Sequence, residues 1–270
     1  MSGPSDGPRL TYGSYLKVEE LLALQQPLSD PFQHDELLFI VIHQVYELWF
    51  RQMIHEADAI MRELPAGQVM RATHHYVRLI EIQRVLLQQI RVLETMTPTE
   101  FNRFRELLNP ASGFQSRQFR ELEFLSNMKE PSMLAALTLD DAARARLKAR
   151  LEGPTLHDAF DAVLRLRRFA LPAAGDAGLP AARLAALKEI YSRPEAHADL
   201  YQLCEAMIEY DENFQLWRYH HVRMVERMIG RKKGTGGSDG VAYLSRTLDR
   251  KCFPELWEVR TLLSGADYGG

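Results

Sequence analysis

At 270 residues and a formal net charge of −3 at pH 7, the chain is long enough to bury one substantial core, and its charge argues against holding nucleic acid or an acidic membrane by bulk electrostatics. Its two cysteines, Cys204 and Cys252, form neither CxxC nor CxxCH, which excludes a disulfide framework, a thiolate zinc site and covalent c-type haem attachment. The start, MSGPSDGPRL, lacks a signal pattern, and no apolar run approaches the ~18 residues of a membrane span, so the reading expects a soluble protein of the reducing cytoplasm.

Residues 1–9 read as a disordered lead. TYGSYLKVEELLAL (11–24) follows as a short arm with Tyr12, Tyr15 and Leu16, too slight to hold a core of its own and suited to docking on another subunit. A long helix is predicted from about Asp35 to Leu64, closed by Pro65. Its start, LLFIVI (37–42), is apolar all round, which predicts deep burial, and Phe39 and His43 stand one turn apart on it, able to face one cavity. His43 either pairs with Glu47 four residues on or is buried behind that apolar hexamer. A second helix is predicted over 67–96, with Tyr76, Leu79, Ile80, Leu86, Leu87, Ile90 and Leu93 on its core face. His74 and His75 on it lack metal-site spacing and read as solvated or capping.

TPTE (97–100) opens a helix, with Thr97 as N-cap, Pro98 in the first turn and Glu100 completing a capping box. That helix carries Phe101, Phe104 and Arg105 and stops at Asn109-Pro110; on residue type alone Arg105 packs its stem on apolar surface with its guanidinium in water. The loop ASGFQS (111–116), with Ser112, leads into the helix SRQFRELEFL. Residues 130–192 are short helices rich in Ala, Leu and Arg, a connecting region in which RLRRF (165–169) reads as a solvated face.

From Pro194 one helical pattern runs to Ile229. Phe214, Trp217, His221, Met224, Val225 and Met228 share a face, while His220, rotated by about 100°, lies with Arg223 and Arg227 towards solvent. Gly230 ends the helix and the basic loop RKKGTGGSDG follows. His221 is thus either a hydrogen-bonded core histidine or a ligand for a flat apolar cofactor with anionic edges, such as haem. VAYLSRTLDR and FPELWEVRTLL read as two closing helices. GTGGSDG (234–240) is not a phosphate or dinucleotide loop, since a helix precedes it and GxxxxGK[ST] is absent. Neither HExxH nor a serine-nucleophile elbow is present. Without period-two alternation, repeats or a long linker, the prediction is a single all-α domain over 10–270, a bundle of at least three long antiparallel helices.

RLTYGSYL, HDELLFIVIHQVYELWF, FRELLNPASGFQS and FQLWRYHHVRMVERMIG with RKKGTGGSDG resemble the tryptophan 2,3-dioxygenase family in order and separation. The resemblance covers about residues 10–130 and 185–265, with a weak middle. It implies an all-helical enzyme with a b-type haem, ferrous when active, and a homotetrameric assembly. The implied reaction inserts both atoms of O₂ across the C2–C3 bond of L-tryptophan to give N-formylkynurenine, the first step of tryptophan catabolism by the kynurenine pathway. By the same resemblance His221 is the axial iron ligand, and His43 is the distal histidine near the indole N–H. Phe39 packs on the indole, with Phe101 also in the substrate pocket; Arg105 binds the substrate carboxylate and Thr235 its ammonium. Ser112 lines the haem pocket, and Tyr12, Tyr15 and Leu16 close the pocket of a neighbouring subunit.

Three positions depart from the pattern. Phe101 stands where some relatives have tyrosine, Asp239 where serine is usual, and Arg51 where lysine is common. Asp239 keeps a second reading open, a related haem enzyme of secondary metabolism that monooxygenates or hydroxylates a substituted tryptophan or another aromatic amino acid. A non-catalytic haem or gas-binding protein would have little reason to carry Arg105 and Thr235, and a helical scaffold without haem would show no Soret band.

Overall fold

The computed structural model describes residues 9–230, 232 and 240–264. The expected disordered lead apart from Arg9, and the basic glycine loop apart from Lys232 and Gly240, lie outside these residues. No strand occurs among the described residues. Two short helices come first, α1 (Tyr12–Leu16) and α2 (Val18–Leu22), hinged at Lys17, whose φ is 56°. Thr11 and Ser14 close a capping box on α1, yet neither helix buries a residue. They lead to α3 (His34–Glu63) and α4 (Val69–Leu93).

Cross-helix hydrogen bonds fix the register of α3 and α4. The Tyr46 hydroxyl donates to the Leu86 carbonyl at 2.9 Å, and Gln89 Nε2 donates to the Ile42 carbonyl at 2.9 Å. As one number rises the other falls, so the pair is antiparallel. Six of the seven expected core residues of α4, Tyr76, Leu79, Ile80, Leu86, Ile90 and Leu93, are each no more than 4% exposed, and Leu87 is half-buried. Deep burial of LLFIVI does not hold in the single chain, because only one side of α3 meets the bundle. Ile42 is buried, while Leu37 is 42% and Val41 38% exposed. His75 is also corrected. It sits between α3 and α4 with Nδ1 2.5 Å from Glu56 and Nε2 3.3 Å from Glu63, because the Glu56 carboxylate is buried there and needs donors; Arg78 supplies another at 3.0 Å. His74 is exposed, as expected.

α5 (Pro98–Phe104) starts at Thr97, whose side chain accepts from the Glu100 N–H at 3.2 Å. The reciprocal half of the expected capping box does not form among the described residues; the Glu100 carboxylate turns to Arg103 at 3.6 Å instead. A tighter turn over 105–108 and another over 113–115, capped by Ser112, connect to α6 (Arg117–Leu125), which Ser116 caps. Four helices span the expected connecting region: α7 (Ser132–Ala136), α8 (Asp141–Glu152), α9 (Leu156–Leu166) and α10 (Leu179–Ser192). α7 and α8 pack a satellite cluster on Phe124, but α9 and α10 put Phe160, Val163, Leu164, Leu187 and Ile190 into the main core.

α11 (Ala198–Ile229) then crosses the bundle antiparallel to α3, its Trp217 against Tyr46 and Phe50. Gly230, at φ 61°, ends it. α12 (Val241–Ser245) and α13 (Pro254–Leu262) close the chain. Cys204 and Cys252 are buried and free. No described helix is long and apolar enough to cross a membrane.

One carboxylate fastens the closing segment to α11. Asp211, wholly buried, accepts from the backbone N–H of Cys252 at 3.0 Å and of Phe253 at 3.1 Å, and from Trp257 Nε1 at 2.9 Å. It thereby satisfies donors at the start of α13 that no helical carbonyl reaches. Asp211→Ala strands them and should destabilise the fold by about 2–4 kcal/mol, with Asp211→Asn losing less. Urea unfolding of both variants checks this, and equal stability of Asp211→Ala and wild type would remove Asp211 from that role.

Candidate active site

The three long helices, with α5, α6 and the 105–116 connection, enclose a cavity of about 290 Å³. Phe39, His43, Phe101, Arg105, Ser112 and His221 all line it. Residues up to 182 positions apart in sequence are therefore brought to one wall system. Thr235 and Asp239 lie outside the described residues. Tyr12, Tyr15 and Leu16 do not line this chain's cavity; they project from α1 with 79%, 71% and 45% of their surface exposed.

On α3, His43 and Phe39 form one unit. His43 Nδ1 lies 2.7 Å from the Phe39 carbonyl, so Nδ1–H is the donor and Nε2 keeps its lone pair. The two rings are 4.1 Å apart, and Phe39 extends the aromatic wall to Phe101 at 5.6 Å and Phe104 at 5.7 Å. Burial lowers the His43 pKa, against the opposing pull of that carbonyl and of Glu47. The alternative contact between His43 and Glu47 is not made. Gln118 takes Glu47, donating to both its carbonyl and its carboxylate at 2.8 Å, while His43 is satisfied within its own turn.

On α11, the ring of His221 stacks on Trp217 with centroids 5.1 Å apart and planes within 6°. Trp217 in turn packs on Phe119 at 5.0 Å. Burial pushes the His221 pKa down to about 4, helped by the charges of His43, Arg218 and Arg120. No described residue hydrogen-bonds to its ring, so the alternative of a hydrogen-bonded core histidine is not what is found. The exposed part of His221 belongs to the cavity wall. Met224, Val225 and Met228 line the same wall, as their shared helical face predicted. His220 and Arg223 are exposed on the far side.

Arg105 also departs from the expectation of a solvated guanidinium. The tight turn after α5 swings it inwards, leaving its side chain 12% exposed beside Glu106 at 3.5 Å. It gives the apolar cavity a charged edge suited to a carboxylate. Ser112 sits across the same connection, its hydroxyl accepting from the Phe114 N–H at 3.3 Å.

Three lining groups had no part in the sequence reading. The buried cluster of Arg120, Glu123 and Arg218 reaches the cavity, as does Glu47. Arg120 and Glu123 are three apart on α6 and Arg218 is three before His221, a spacing that places each on the inner face. Charged residue type masked that signal, since such residues are rarely buried unless paired.

Among the described residues no group of three or more His, Cys, Asp or Glu is arranged to hold a metal ion. A lone, neutral, unbonded imidazole instead suits a metal whose other ligands come with a planar cofactor. The aromatic walls, and the second imidazole with its free lone pair, fit a flat group on one side and a reacting molecule on the other.

Fold and site define an all-helical protein with an aromatic cavity that holds two imidazoles, and the comparisons with known proteins make it an oxidoreductase of the dioxygenase class. The family model described as "Tryptophan 2,3-dioxygenase" matches residues 4–136 and 173–263. A tryptophan 2,3-dioxygenase of Nocardioides sp. is 50% identical over 262 residues, covering 95% of this chain and 96% of that protein. One from Herpetosiphon aurantiacus is 47% identical over 258 residues (93% and 97%), and one from Xanthomonas campestris pv. campestris is 43% identical over 260 (94% and 87%). The chain belongs to the tryptophan 2,3-dioxygenase family.

The neutral imidazole of His221 has a consequence for stability. Its folded pKa of about 4 lies below the ordinary 6.5, so the unfolded chain binds more protons between those values. The stability contributed by neutral His221 is complete above about pH 6.5 and is lost as pH falls towards 4. Urea midpoints of cofactor-free protein across that range should fall steeply, and His221→Gln should flatten the fall; an identical slope in both would refute the neutral, buried imidazole.

Proposed function

We propose that the chain is a haem-dependent dioxygenase that opens the indole ring of L-tryptophan with O₂ to give N-formyl-L-kynurenine, the first step of tryptophan catabolism by the kynurenine pathway. The observation that carries this reading is the meeting of Phe39, His43, Arg105, Ser112 and His221 in one cavity, in a chain of this family. Bound haem b, with ferrous iron, supplies the O₂ chemistry.

The protein's own part is divided among the residues that the family resemblance singles out. His221 would hold the haem iron, its imidazole kept neutral by burial and its ring plane set by the stack on Trp217. Ser112 would line the haem. Phe39 and Phe101 clamp a planar ring, and His43, whose Nε2 lone pair is free, accepts the indole N–H and fixes the ring's orientation. Arg105 takes the carboxylate through its planar fork, and Thr235 takes the ammonium. The aromatic wall excludes water from the reacting face.

The native assembly is a homotetramer in which Tyr12, Tyr15 and Leu16 complete a neighbour's pocket, and the exposure of these three side chains supports it. The outer faces of Leu37 and Val41 find cover in the same way. Residues 10–270 act as one domain, supported by a main core that draws side chains from α3 to α13. The protein works in the cytoplasm, without nucleic-acid or membrane partners. The alternative of a secondary-metabolic monooxygenase is not favoured, since each relative named above is a tryptophan 2,3-dioxygenase at 43–50% identity.

Haem-loaded protein, reduced without oxygen and then given L-tryptophan and O₂, should yield a product two oxygen atoms heavier that co-elutes with N-formylkynurenine; a gain of one atom would overturn the reading. His221→Ala should lose the Soret band. Arg105→Lys should raise KM for L-tryptophan roughly 10- to 100-fold, the loss of a charge-assisted hydrogen bond of about 1.5–3 kcal/mol, and should affect indole analogues without a carboxylate far less. An equal effect on both would make Arg105 structural.

A further inference from the structure

Beside His221 lies a buried charge cluster that the proposed reaction does not use. Arg218, 4% exposed, stands one helical turn before His221 on α11. Its Nη2 donates to Glu123 Oε1 at 2.7 Å and its Nη1 to the Thr247 carbonyl at 3.3 Å, while its guanidinium covers the Phe214 ring at 5.1 Å. Arg120, 6% exposed on α6, donates to the other Glu123 oxygen and lies over the rings of Phe114 and Phe119 at 5.3 and 5.2 Å. All three line the cavity.

The charges do not cancel. Two guanidiniums face one carboxylate, and guanidinium stays protonated at any working pH, so the cluster carries a fixed charge of +1. Its role is not packing alone, because apolar side chains fill such a volume at no desolvation cost. Its hydrogen bonding is also incomplete. Arg120 Nε and Arg218 Nε are buried without a hydrogen-bond partner among the described residues. A costly, partly unsatisfied pair of cations, one of them a helical turn from His221, has one property that an apolar filler lacks, a permanent positive potential at the cavity.

We propose that Arg120, Glu123 and Arg218 are positioning residues that set the reduction potential of the iron held by His221, their net positive charge biasing it towards the ferrous form that the reaction needs. This rests on the proposed haem site. In the half-reaction one electron enters and Fe(III) becomes Fe(II), so the iron's charge falls by one. A fixed positive charge in a low-dielectric wall stabilises the less positive iron. Neither arginine gains or loses a proton in the step. Glu123 holds the two cations together and limits the excess to one unit.

Spectroelectrochemical titration of the haem-loaded full chain tests the sign. Glu123→Gln keeps the shape and raises the cluster to +2; Arg120→Gln lowers it to zero; Arg120→Lys keeps the charge. At a fixed potential the ferrous-to-ferric ratio should rise roughly tenfold in Glu123→Gln, about 59 mV for one electron. It should fall by a similar factor in Arg120→Gln and stay near wild type in Arg120→Lys. Shifts in the same direction for both neutral variants, or none, overturn the inference. If Arg120→Gln fails to hold haem, the comparison of Glu123→Gln with Arg120→Lys decides alone, and equal potentials there overturn it. Wild-type protein that takes up no haem would instead sink the proposed function.

Discussion

The parallel stack of His221 on Trp217 is the constraint on which the rest of the site depends. An imidazole without a hydrogen-bond partner has little to fix its ring plane. Here the plane is set by an indole that is itself wedged among Tyr46, Phe50 and Phe119. Those three rings come from α3 and α6, so the orientation of one side chain on α11 is a property of the whole bundle. The Tyr46 hydroxyl bond to Leu86 extends the same dependence to α4. A change in the packing of any long helix therefore reaches the histidine through these rings and the one hydroxyl bond.

Helix α6 has a second role, as the point where charge is taken into the core from both sides. On one face Glu123 binds Arg120 and Arg218. On the opposite face Glu121, fully buried, receives Arg117 at 2.5 Å, Arg146 at 3.1 Å and Arg150 at 3.5 Å, and Arg150 continues to Asp58 on α3 at 2.6 Å. Two carboxylates two residues apart thus look in opposite directions, one into the cavity and one to α8. Each is surrounded by cations because a lone buried carboxylate would be far more costly. The outer network ties α8 to the frame and the inner one belongs to the site.

The sequence was most legible where one physical signal ruled. Helical periodicity placed the three long helices, and the face shared by Trp217, His221 and Met224 is the observed cavity wall. Thr97 and Gly230 mark helix ends because capping is local chemistry. Legibility failed where the partner lies far along the chain. That Gln118 would claim Glu47, that His75 would meet Glu56, or that Arg105 would turn inwards depends on neighbours that no local window contains. Burial of LLFIVI was misjudged for a related reason, since an apolar helix face reports that it wants cover without saying whether its own chain gives it. The roles of Phe39, His43, Arg105 and His221 came from resemblance; the structure adds that all four line one cavity.

The hydrogen bond from His43 to the Phe39 carbonyl has a consequence for how this pocket can change. Under the proposed roles, the ring that packs on the substrate and the imidazole that faces its N–H sit on a single helical turn, joined through the Phe39 carbonyl and packed ring on ring at 4.1 Å. Adaptation to a bulkier or differently substituted ring is therefore costly along α3, where trimming Phe39 would loosen the imidazole packed on it. It is open along α5 and the loop after it, where Phe101 contributes bulk without sharing that bond. Divergence within such a scaffold should accordingly be concentrated in the segment that runs from Phe101 to Ser112, with α3 held as the fixed jaw.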